Sequence, residues 1–365
     1  MIKLIYPEIK VRPLAKMNMS QIPLIDSEDK NCIEVTNLKK QYGKGKAFVI
    51  NGISFTVKYG TVFGFLGPNG AGKTTTLKIL TSLLNPSSGN VTIFGKDLFK
   101  KHSEIKRKMG VVSQNPSFEA NLAVERSLDL YGLLWGLNDR RARKNKVKEI
   151  LKTFDLESIK NSKNEELSIG QRRRVQLARE FMHDMDLLFL DEPTVGLDPS
   201  ARRMLLDHIK KHVMSGLTVF FTTHIMEEAE YLCDEIAIID NGTIIAFDTP
   251  IGLKQRYGRM NKSIEITFKD NLNEHFVGIL KSIVNGGKKV SKGLDDFKNT
   301  PEISLEGENA IRIKVNDTEK VISQIFQIVP KNGMEIENIS VNSPSLEEIF
   351  LSIVGNSKIN SSNAS

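Results

Sequence analysis

The chain has 365 residues, of which 40% are hydrophobic, and this length and composition indicate a globular protein with two domains. No apolar run approaches the ~18–20 residues that a membrane-spanning helix needs, and no signal peptide is evident, which predicts a cytosolic chain. The net charge of +7 is best explained by a solvated basic helix face, so nucleic acid is not expected as a partner. The two cysteines are too few to indicate a disulfide framework or a zinc cluster.

The first residues are predicted to form a loosely ordered leader, because residues 1–30 contain scattered prolines and no hydrophobic period. A β-rich segment then runs from Ile33 to about Gly95. Inside it, the short apolar run Thr61–Leu66 predicts a buried parallel strand, and Thr74–Leu84 has the apolar spacing of a helix. Strands alternating with helices predict an α/β fold.

A glycine-rich loop connects that strand to that helix. The segment Gly67–Thr74 fits the phosphate-loop pattern G-x-x-x-x-G-K-[ST]. Glycines allow backbone N–H groups to converge on phosphate oxygens, Lys73 can reach the β- and γ-phosphates, and the Thr74 hydroxyl can bind Mg²⁺. The loop by itself predicts only a bound nucleotide, and together with the motifs that follow it in the chain it leads us to expect ATP and Mg²⁺ as cofactors. The expected nucleotide contacts are Gly67, Pro68, Asn69, Gly70, Ala71, Gly72, Lys73, Thr74 and Thr75.

Two further strands end in polar residues that suit a nucleotide site. Leu187–Leu190 is followed by Asp191, a candidate Mg²⁺ ligand, and by Glu192, a candidate general base. Thr218–Thr223 is followed by His224, which should lie at the same edge because parallel strands share polarity. It is a candidate for contacting the γ-phosphate and the attacking water.

The strand Met109–Ser113 leads to Gln114, a candidate for sensing Mg²⁺ and the γ-phosphate at that same edge. Residues 117–167 are rich in helical patterns, and the basic run 140–148 within them is expected to be a solvated face. An Asn-Gly pair between the apolar runs of residues 235–245 predicts a hairpin.

The character of the chain changes after Gly258. Alternating and helical patterns predict a small α+β domain over 259–355 with a βαβαβ-like order, interrupted by a polar loop at about 286–300. No catalytic constellation is present there. Residues 356–365 are polar and predict a disordered tail.

Together these motifs resemble the nucleotide-binding subunit of ABC transporters over residues 31–258. The resemblance implies a P-loop NTPase cassette, in which a mixed β core is joined to a helical subdomain at about 117–167. It implies that Tyr42 stacks on adenine, Gln114 is the Q-loop residue and His224 is the switch histidine. It also identifies Leu167–Gln171 as the signature segment and Gly196–Asp198 as the D-loop.

The amino-acid sequences of residues 190–199 and 223–229 resemble those of the drug- and polyketide-exporter branch, whose members carry a C-terminal accessory domain. The resemblance implies ATP sandwiched between two cassettes, so that the signature segment of one chain meets the nucleotide of the other. The implied contacts are Ser168, Gly170, Gln171 and Asp198. The implied partners are an integral membrane permease and a second copy of the chain or a paralogous cassette, at the cytoplasmic face of the membrane.

One residue departs from the family pattern. The signature segment usually has two adjacent glycines after the serine, and here the first position is Ile169. The change puts the rate of hydrolysis in question more than ATP binding. A regulatory cassette with slow hydrolysis is therefore one alternative, and a soluble ABC ATPase of translation or DNA repair is another. The single cassette and the short spacing between its halves speak against the second alternative.

Overall fold

The computed structural model describes residues 31–43, 45–114, 119–257, 262–284, 302–315, 318–342 and 344–362, so the predicted leader and the polar loop lie outside the described residues. Contacts divide the chain into two compact units. The first unit reaches His224 and includes Leu232–Ile244, and the second comprises Ile225–Tyr231 and the residues from Ile245 onwards. This division differs from the predicted boundary at Gly258, which stays a prediction.

Up to residue 257 the elements follow the predicted alternation of strands and helices. They are β1 (Asn31–Gln41), β2 (Phe48–Lys58), β3 (Val62–Leu66), α1 (Lys73–Leu80), β4 (Ser88–Ile93), β5 (Lys96–Asp97), α2 (His102–Lys106), β6 (Met109–Val112), α3 (Val124–Leu134), α4 (Arg140–Thr153), α5 (Ile169–Glu180), β7 (Leu187–Asp191), α6 (Pro199–Val213), β8 (Thr218–Thr223), α7 (Met226–Leu232), β9 (Glu235–Asp240), β10 (Thr243–Asp248) and α8 (Pro250–Tyr257).

The strands form two sheets. An antiparallel sheet has the order β2-β1-β4-β5, and a larger sheet has the order β10-β9-β3-β8-β7-β6. In the larger sheet β3 pairs in parallel with β8 and β9, and β7 pairs in parallel with β6 and β8. Every residue of β3, β7 and β8 is buried, which explains their unbroken apolar sequences. The carboxyl ends of β3, β6, β7 and β8 therefore meet at one edge.

Phenylalanine rings fill the core beneath that edge. Four rings surround the buried ring of Phe220 at centroid distances of 5.6–6.0 Å, and they belong to Phe55, Phe63, Phe65 and Phe189. Phe55 comes from the antiparallel sheet and the others from the parallel sheet, so the two sheets share one core. Buried aromatic rings carry large apolar areas, and this packing fixes the strands that lead to the site.

Helices α3 and α4 form the predicted helix-rich part. Asp139 caps α4 by accepting from the backbone N–H of Ala142. The expectation of a solvated basic face was wrong for Arg143, which is buried and pairs with Asp129 at 2.7 Å. Its planar guanidinium also donates to the carbonyl oxygen of Leu137, and these partners compensate its burial.

A tryptophan stacks on a histidine at the end of α3. The rings of Trp135 and His183 lie 3.8 Å apart between centroids and are 9° from parallel. A ring nitrogen of His183 lies 3.2 Å from the carbonyl oxygen of Met109, and burial lowers the pKa of the imidazole. The stack therefore joins the helical part to the segments that flank the parallel sheet.

A buried carboxyl group connects α5 to the parallel sheet. The backbone N–H of Val111, in β6, donates to Glu180 Oε2 at 3.2 Å. Burial raises the pKa of Glu180 to about 7, and its hydrogen bond with Val111 and the charge of Arg179 only partly oppose that rise. Glu180 is therefore protonated in the folded chain under mildly acidic conditions.

The second unit contains a small α+β fold. Its further elements are β11 (Lys262–Phe268), α9 (Glu274–Val284), β12 (Glu302–Leu305), β13 (Ala310–Val315), α10 (Thr318–Ile328), β14 (Ile336–Asn342) and α11 (Leu346–Ser362). The antiparallel sheet has the order β12-β13-β11-β14, with β13 inserted between β11 and β12 as in a split β-α-β unit. One apolar core joins this sheet to α9 and α10.

The predicted βαβαβ-like order was wrong by one strand, because β12 makes the order βαββαβ. This edge strand has only four residues, so its alternation of polar and apolar positions is too short to stand out from a loop. At the other end, α11 continues to Ser362, so most of the segment predicted as a disordered tail is helical. Residues 363–365 lie outside the described residues.

Among the described residues, none of the helices combines the length and the apolar character that crossing a membrane requires.

Glu180→Gln is expected to remove a pH dependence of stability. The folded-state pKa of about 7 lies above the ordinary 4.5, so Glu180 favours the folded state at low pH and loses this contribution as pH rises from about 4.5 to about 7. The amide keeps an oxygen for the Val111 N–H and never ionises. At pH 8 the variant should therefore be more stable than the wild type by up to about 3 kcal/mol, and at pH 4.5 equally stable.

Urea unfolding at the two pH values measures this difference. Glu149→Gln changes an exposed carboxylate on α4 and serves as the matched control. An unchanged difference between Glu180→Gln and the wild type at the two pH values would contradict the assignment.

Candidate functional site

The phosphate loop, Gly67–Thr74, follows β3 and leads directly into α1. A Cβ at Gly67 would lie 2.3 Å from the carbonyl oxygen of Ile239, and Gly72 has a φ of +111°. Both positions therefore require glycine. The ammonium group of Lys73 donates to the carbonyl oxygens of Gly67 at 2.7 Å and Pro68 at 3.2 Å, so the lysine lies over the loop from which it starts.

The predicted Asn-Gly hairpin is confirmed, and its turn holds the loop. Asn241 and Gly242 both have positive φ, as a type I′ turn needs. The backbone N–H of Gly242 donates to the carbonyl oxygen of Ala71 at 3.1 Å, and Gly242 accepts from the N–H of Asn51 at 2.8 Å. Sequence reasoning identified the turn and missed this contact, because no local signal relates residue 242 to residue 71.

Thr222 organises the two acids that follow β7. Its hydroxyl donates to Asp191 Oδ1 at 2.7 Å, and its Oγ1 lies 3.1 Å from the backbone nitrogen of Glu192. The same N–H donates to the Thr222 carbonyl oxygen at 3.0 Å. Glu192 has a φ of +46°, an uncommon conformation for a residue with a side chain, and these contacts hold it there. Sequence reasoning missed Thr222.

Side chains from three other strand ends converge on the carboxylate of Glu192. Lys73 Nζ lies 3.6 Å from Oε1, Gln114 Nε2 donates to Oε2 at 3.1 Å, and His224 Nδ1 lies 3.3 Å from Oε2. The Glu192 side chain is 10% exposed, whereas that of His224 is 48% exposed. The structure thus brings together four of the residues that the sequence singled out separately.

Burial dominates the electrostatics of this group. It lowers the pKa of Lys73, and the negative charge of Glu192 opposes that shift. It raises the pKa of Asp191, and the hydrogen bonds from Thr222 and Thr74 act in the opposite direction. Two carboxyl groups share this edge with a buried ammonium and with a buried guanidinium from α5, so their formal charges are close to balance.

The signature segment, Leu167–Gln171, begins α5 as expected. Ser168 is the N-cap: its Oγ accepts from the N–H of Gln171 at 3.2 Å, and the Gln171 side chain accepts from the N–H of Ser168 at 2.9 Å. This capping box leaves the hydroxyl hydrogen of Ser168 available to an acceptor outside the helix.

The side chain of Ile169 is 56% exposed and lies beside the D-loop, Gly196–Asp198, of its own chain. Its Cγ2 is 3.4 Å from where a Cβ of Gly196 would stand. Asp198 caps α6 by accepting from the N–H groups of Ser200 and Ala201, both at 3.0 Å. The signature segment and the D-loop therefore form a second cluster, at the starts of α5 and α6.

The remaining predicted contacts lie nearer the surface. Tyr42 is exposed, and the ammonium group of Lys40 lies 5.4 Å from its ring centroid. Thr74 is exposed and Thr75 half-buried at the start of α1. A further residue was missed: Arg173, in α5, donates to the backbone carbonyl oxygens of Ser113 and Gln114.

Comparisons with known proteins agree with this geometry. Residues 50–195 match the family described as ABC transporter, and residues 249–354 match the C-terminal domain of DrrA1-3-like ATP-binding proteins. The linearmycin resistance ATP-binding protein LnrL of Bacillus subtilis (strain 168) is 34% identical over 88% of this chain and 98% of that protein. This chain belongs to the ABC transporter ATP-binding subunits. As an ABC cassette it is an ATPase.

Other relatives cover the chain in the same way. The doxorubicin resistance ATP-binding protein DrrA of Mycobacterium tuberculosis (strain CDC 1551 / Oshkosh) is 33% identical over 89% of this ABC subunit and 94% of its own length. Among solved structures, an ATP-binding subunit of an ABC transporter is 29% identical, with a TM-score of 0.56 over 62% of this chain and 93% of that chain. A dimeric post-hydrolysis ATP-binding cassette bound to ADP and Pi is 26% identical, with a TM-score of 0.55 over 60% and 98%.

Ile169→Gly is expected to leave ATP hydrolysis unchanged or faster. The backbone N–H at position 169 remains, and the side chain removed is 56% exposed and lies beside Gly196, where each atom pair in contact is worth only ~0.1–0.2 kcal/mol. Phosphate release at saturating ATP measures the rate. A large loss with intact ATP binding would instead show that the contact with Gly196 holds the D-loop in the hydrolysing state.

Gly170→Asp is expected to abolish hydrolysis. A Cβ at Gly170 would lie 3.6 Å from Ala201 Cβ and 3.7 Å from Leu197 Cδ2, which are ordinary contacts, so the chain accommodates a side chain there. The loss would then report negative charge facing phosphate. Gly170→Ala is the matched control and should retain most of the activity. Equal loss in the two variants would contradict the electrostatic reason.

Proposed function

We propose that this ABC subunit binds Mg-ATP at the carboxyl edge of its parallel sheet and uses Glu192 to activate water. The observation that carries the proposal is the convergence of Lys73, Gln114 and His224 on one buried carboxylate. Glu192 is positioned to accept a proton from the attacking water, and His224 is positioned to hold that water and the γ-phosphate.

The phosphates of ATP are proposed to lie in the phosphate loop. Lys73 has a flexible stem and already donates to two loop carbonyl oxygens, so it can exchange them for phosphate oxygens without a change in backbone. The backbone N–H groups of Asn69, Gly70 and Gly72 and the N-terminus of α1 supply the remaining donors. Tyr42 offers an exposed ring for adenine.

Mg²⁺ fits the residues present. The Asp191 carboxylate and the Thr74 hydroxyl lie within hydrogen-bonding reach of each other and are oxygen donors of the kind Mg²⁺ prefers. Asp191, Thr74 and Gln114 are the proposed residues around the ion, which when bound would neutralise charge on the β- and γ-phosphates.

The second cluster is proposed to serve the nucleotide of another cassette. The Ser168 hydroxyl is free to donate outside its helix, Gly170 allows close approach, and both stand at the positive end of α5. Gln171 and Asp198 stabilise the starts of α5 and α6 by capping. The partner is proposed to be a second copy or a paralogous cassette, closing around two ATP molecules.

The transport role is proposed to be drug export. Relatives that cover most of this chain are named for resistance to linearmycin, daunorubicin and doxorubicin, and the C-terminal match extends the likeness past the cassette. We propose that a separate integral membrane subunit supplies the pore and that this subunit works at the cytoplasmic face of the membrane. That C-terminal match favours this function over a soluble ATPase of translation or repair.

Glu192→Gln is expected to keep ATP binding and to lose hydrolysis, by about 100-fold or more, because the amide preserves shape and cannot accept the proton. Phosphate release gives the rate, and a fluorescent ATP analogue gives the affinity. Lys73→Ala should instead weaken binding itself, since it removes a charged phosphate contact. Near-normal phosphate release from Glu192→Gln would refute the assignment.

Mg-ATP is expected to convert the Glu192→Gln chain from monomer to dimer. The γ-phosphate would be shared between Lys73 of one copy and Ser168 of the other, so closure depends on ATP. Light scattering with and without Mg-ATP measures the mass, and Glu192→Gln/Lys73→Ala is the control that should stay monomeric. Identical masses in the two conditions would argue against the sandwich.

A further inference from the structure

Arg173 makes a buried charged contact between α5 and the segment that follows β6 at the edge of the parallel sheet. Its guanidinium donates to the carbonyl oxygen of Ser113 at 2.7 Å, to that of Gln114 at 2.8 Å and to Gln176 Oε1 at 2.7 Å. Gln176 Nε2 also donates to the Ser113 carbonyl oxygen, at 3.3 Å. The residue is 4% exposed. Arg173 and Gln176, which lie one turn apart in α5, therefore bind the two successive carbonyl groups that follow the end of β6.

This arrangement is electrostatically costly. In the described part of the chain, all hydrogen bonds of Arg173 go to neutral oxygens rather than to a carboxylate. Burial lowers the pKa of the guanidinium, and the charge of Asp191 opposes the shift. An apolar residue of similar volume would avoid this cost. The contact is therefore better explained by what it positions than by the stability it adds.

The residue it positions is Gln114. The carbonyl group of Gln114 is held by Arg173, and its side-chain amide donates to Glu192 Oε2 at 3.1 Å. Arg173 belongs to α5, and the start of that helix, at Ser168, Ile169 and Gly170, lies one turn before it. A rigid path thus runs from the start of α5, through Arg173 and Gln114, to the proposed general base.

We infer that Arg173 is a positioning residue that couples the two ATP sites of the dimer. This inference rests on the proposed function, in which the start of α5 contacts the partner's nucleotide while Glu192 acts on its own. Displacement of α5 by the partner's γ-phosphate moves the Gln114 backbone through the guanidinium, and the Gln114 amide then sets the orientation of Glu192. Hydrolysis at one site thereby depends on occupancy of the other.

The planar fork of arginine suits this role. Two of its nitrogens reach adjacent carbonyl groups at the same time, which fixes both the distance and the orientation of the Gln114 peptide. A lysine would keep the charge and lose the fixed geometry. Arg173→Lys is therefore expected to be intermediate between the wild type and Arg173→Met.

The experiment is a double-mutant cycle between Arg173 and Gln114 in the full chain. Arg173→Met is made in the wild type and in Gln114→Ala. Arg174→Met is the matched control, because among the described residues this neighbour donates to Asp155 at 3.3–3.5 Å rather than to Gln114. Hydrolysis is measured against ATP concentration, giving kcat and the Hill coefficient. A fluorescent ATP analogue gives the nucleotide affinity, and thermal unfolding verifies the fold.

Arg173→Met is expected to lower kcat about 10- to 100-fold and to bring the Hill coefficient to about 1, with nucleotide affinity within about twofold. In the Gln114→Ala background the same change should lower kcat by less than about twofold, because the path is already broken. Equal losses in the two backgrounds would show that Arg173 is only structural and would overturn the inference. An undiminished Hill coefficient would overturn it as well.

A second measurement does not need turnover. In the Glu192→Gln chain, Arg173→Met should raise the ATP concentration for half-maximal dimerisation by about threefold or more, and Arg174→Met should not. If Arg173→Met fails to fold, Arg173→Lys carries both measurements, and its equality with the wild type in both would overturn the inference. A wild type that neither hydrolyses ATP nor dimerises would instead refute the proposed function.

Discussion

The parallel pairing of β3, β8, β7 and β6 is the constraint on which the rest of the site depends. Each of these short strands carries functional residues at its carboxyl end. They are the phosphate loop after β3, His224 after β8, the two acids at the end of β7 and Gln114 after β6. These groups are far apart in sequence and meet only because the strands share polarity and register. The phenylalanine core around Phe220 keeps that register fixed. Packing beneath the edge is thus what brings Lys73, Gln114 and His224 within 3.6 Å of Glu192.

The charge balance at this edge explains why the site is polar and yet buried. Desolvation lowers the pKa of Lys73 and Arg173 and raises that of Asp191. Hydrogen bonds from Thr222 and the mutual attraction of opposite charges offset part of that cost. The part that is not offset remains as a free-energy cost of folding this edge of the sheet.

Much of this arrangement was predictable from sequence, because its signals are local. The phosphate loop has a fixed spacing, the buried strands are unbroken apolar runs, and shared polarity places Asp191 and His224 at one edge. Thr222 and Arg173 were missed because their partners lie 31 and 60 residues away and nothing nearby marks them. The buried Arg143 and the four-residue β12 were missed for a related reason: only tertiary contacts distinguish them from a solvated face and a loop. The roles assigned to individual site residues stay predictions.

The stack of Trp135 on His183 gives the molecule a built-in optical reporter. Trp135 is the single tryptophan of the chain and lies at the end of α3, in the helical part. Burial lowers the pKa of His183, so the ring that covers the indole is uncharged near neutral pH. A neutral imidazole leaves indole emission largely intact, whereas an imidazolium quenches it. Separation of α3 from the segment after α5 would uncover the indole to water and shift the colour of its emission, so that this one fluorophore registers the movement without any label and in the unmodified protein.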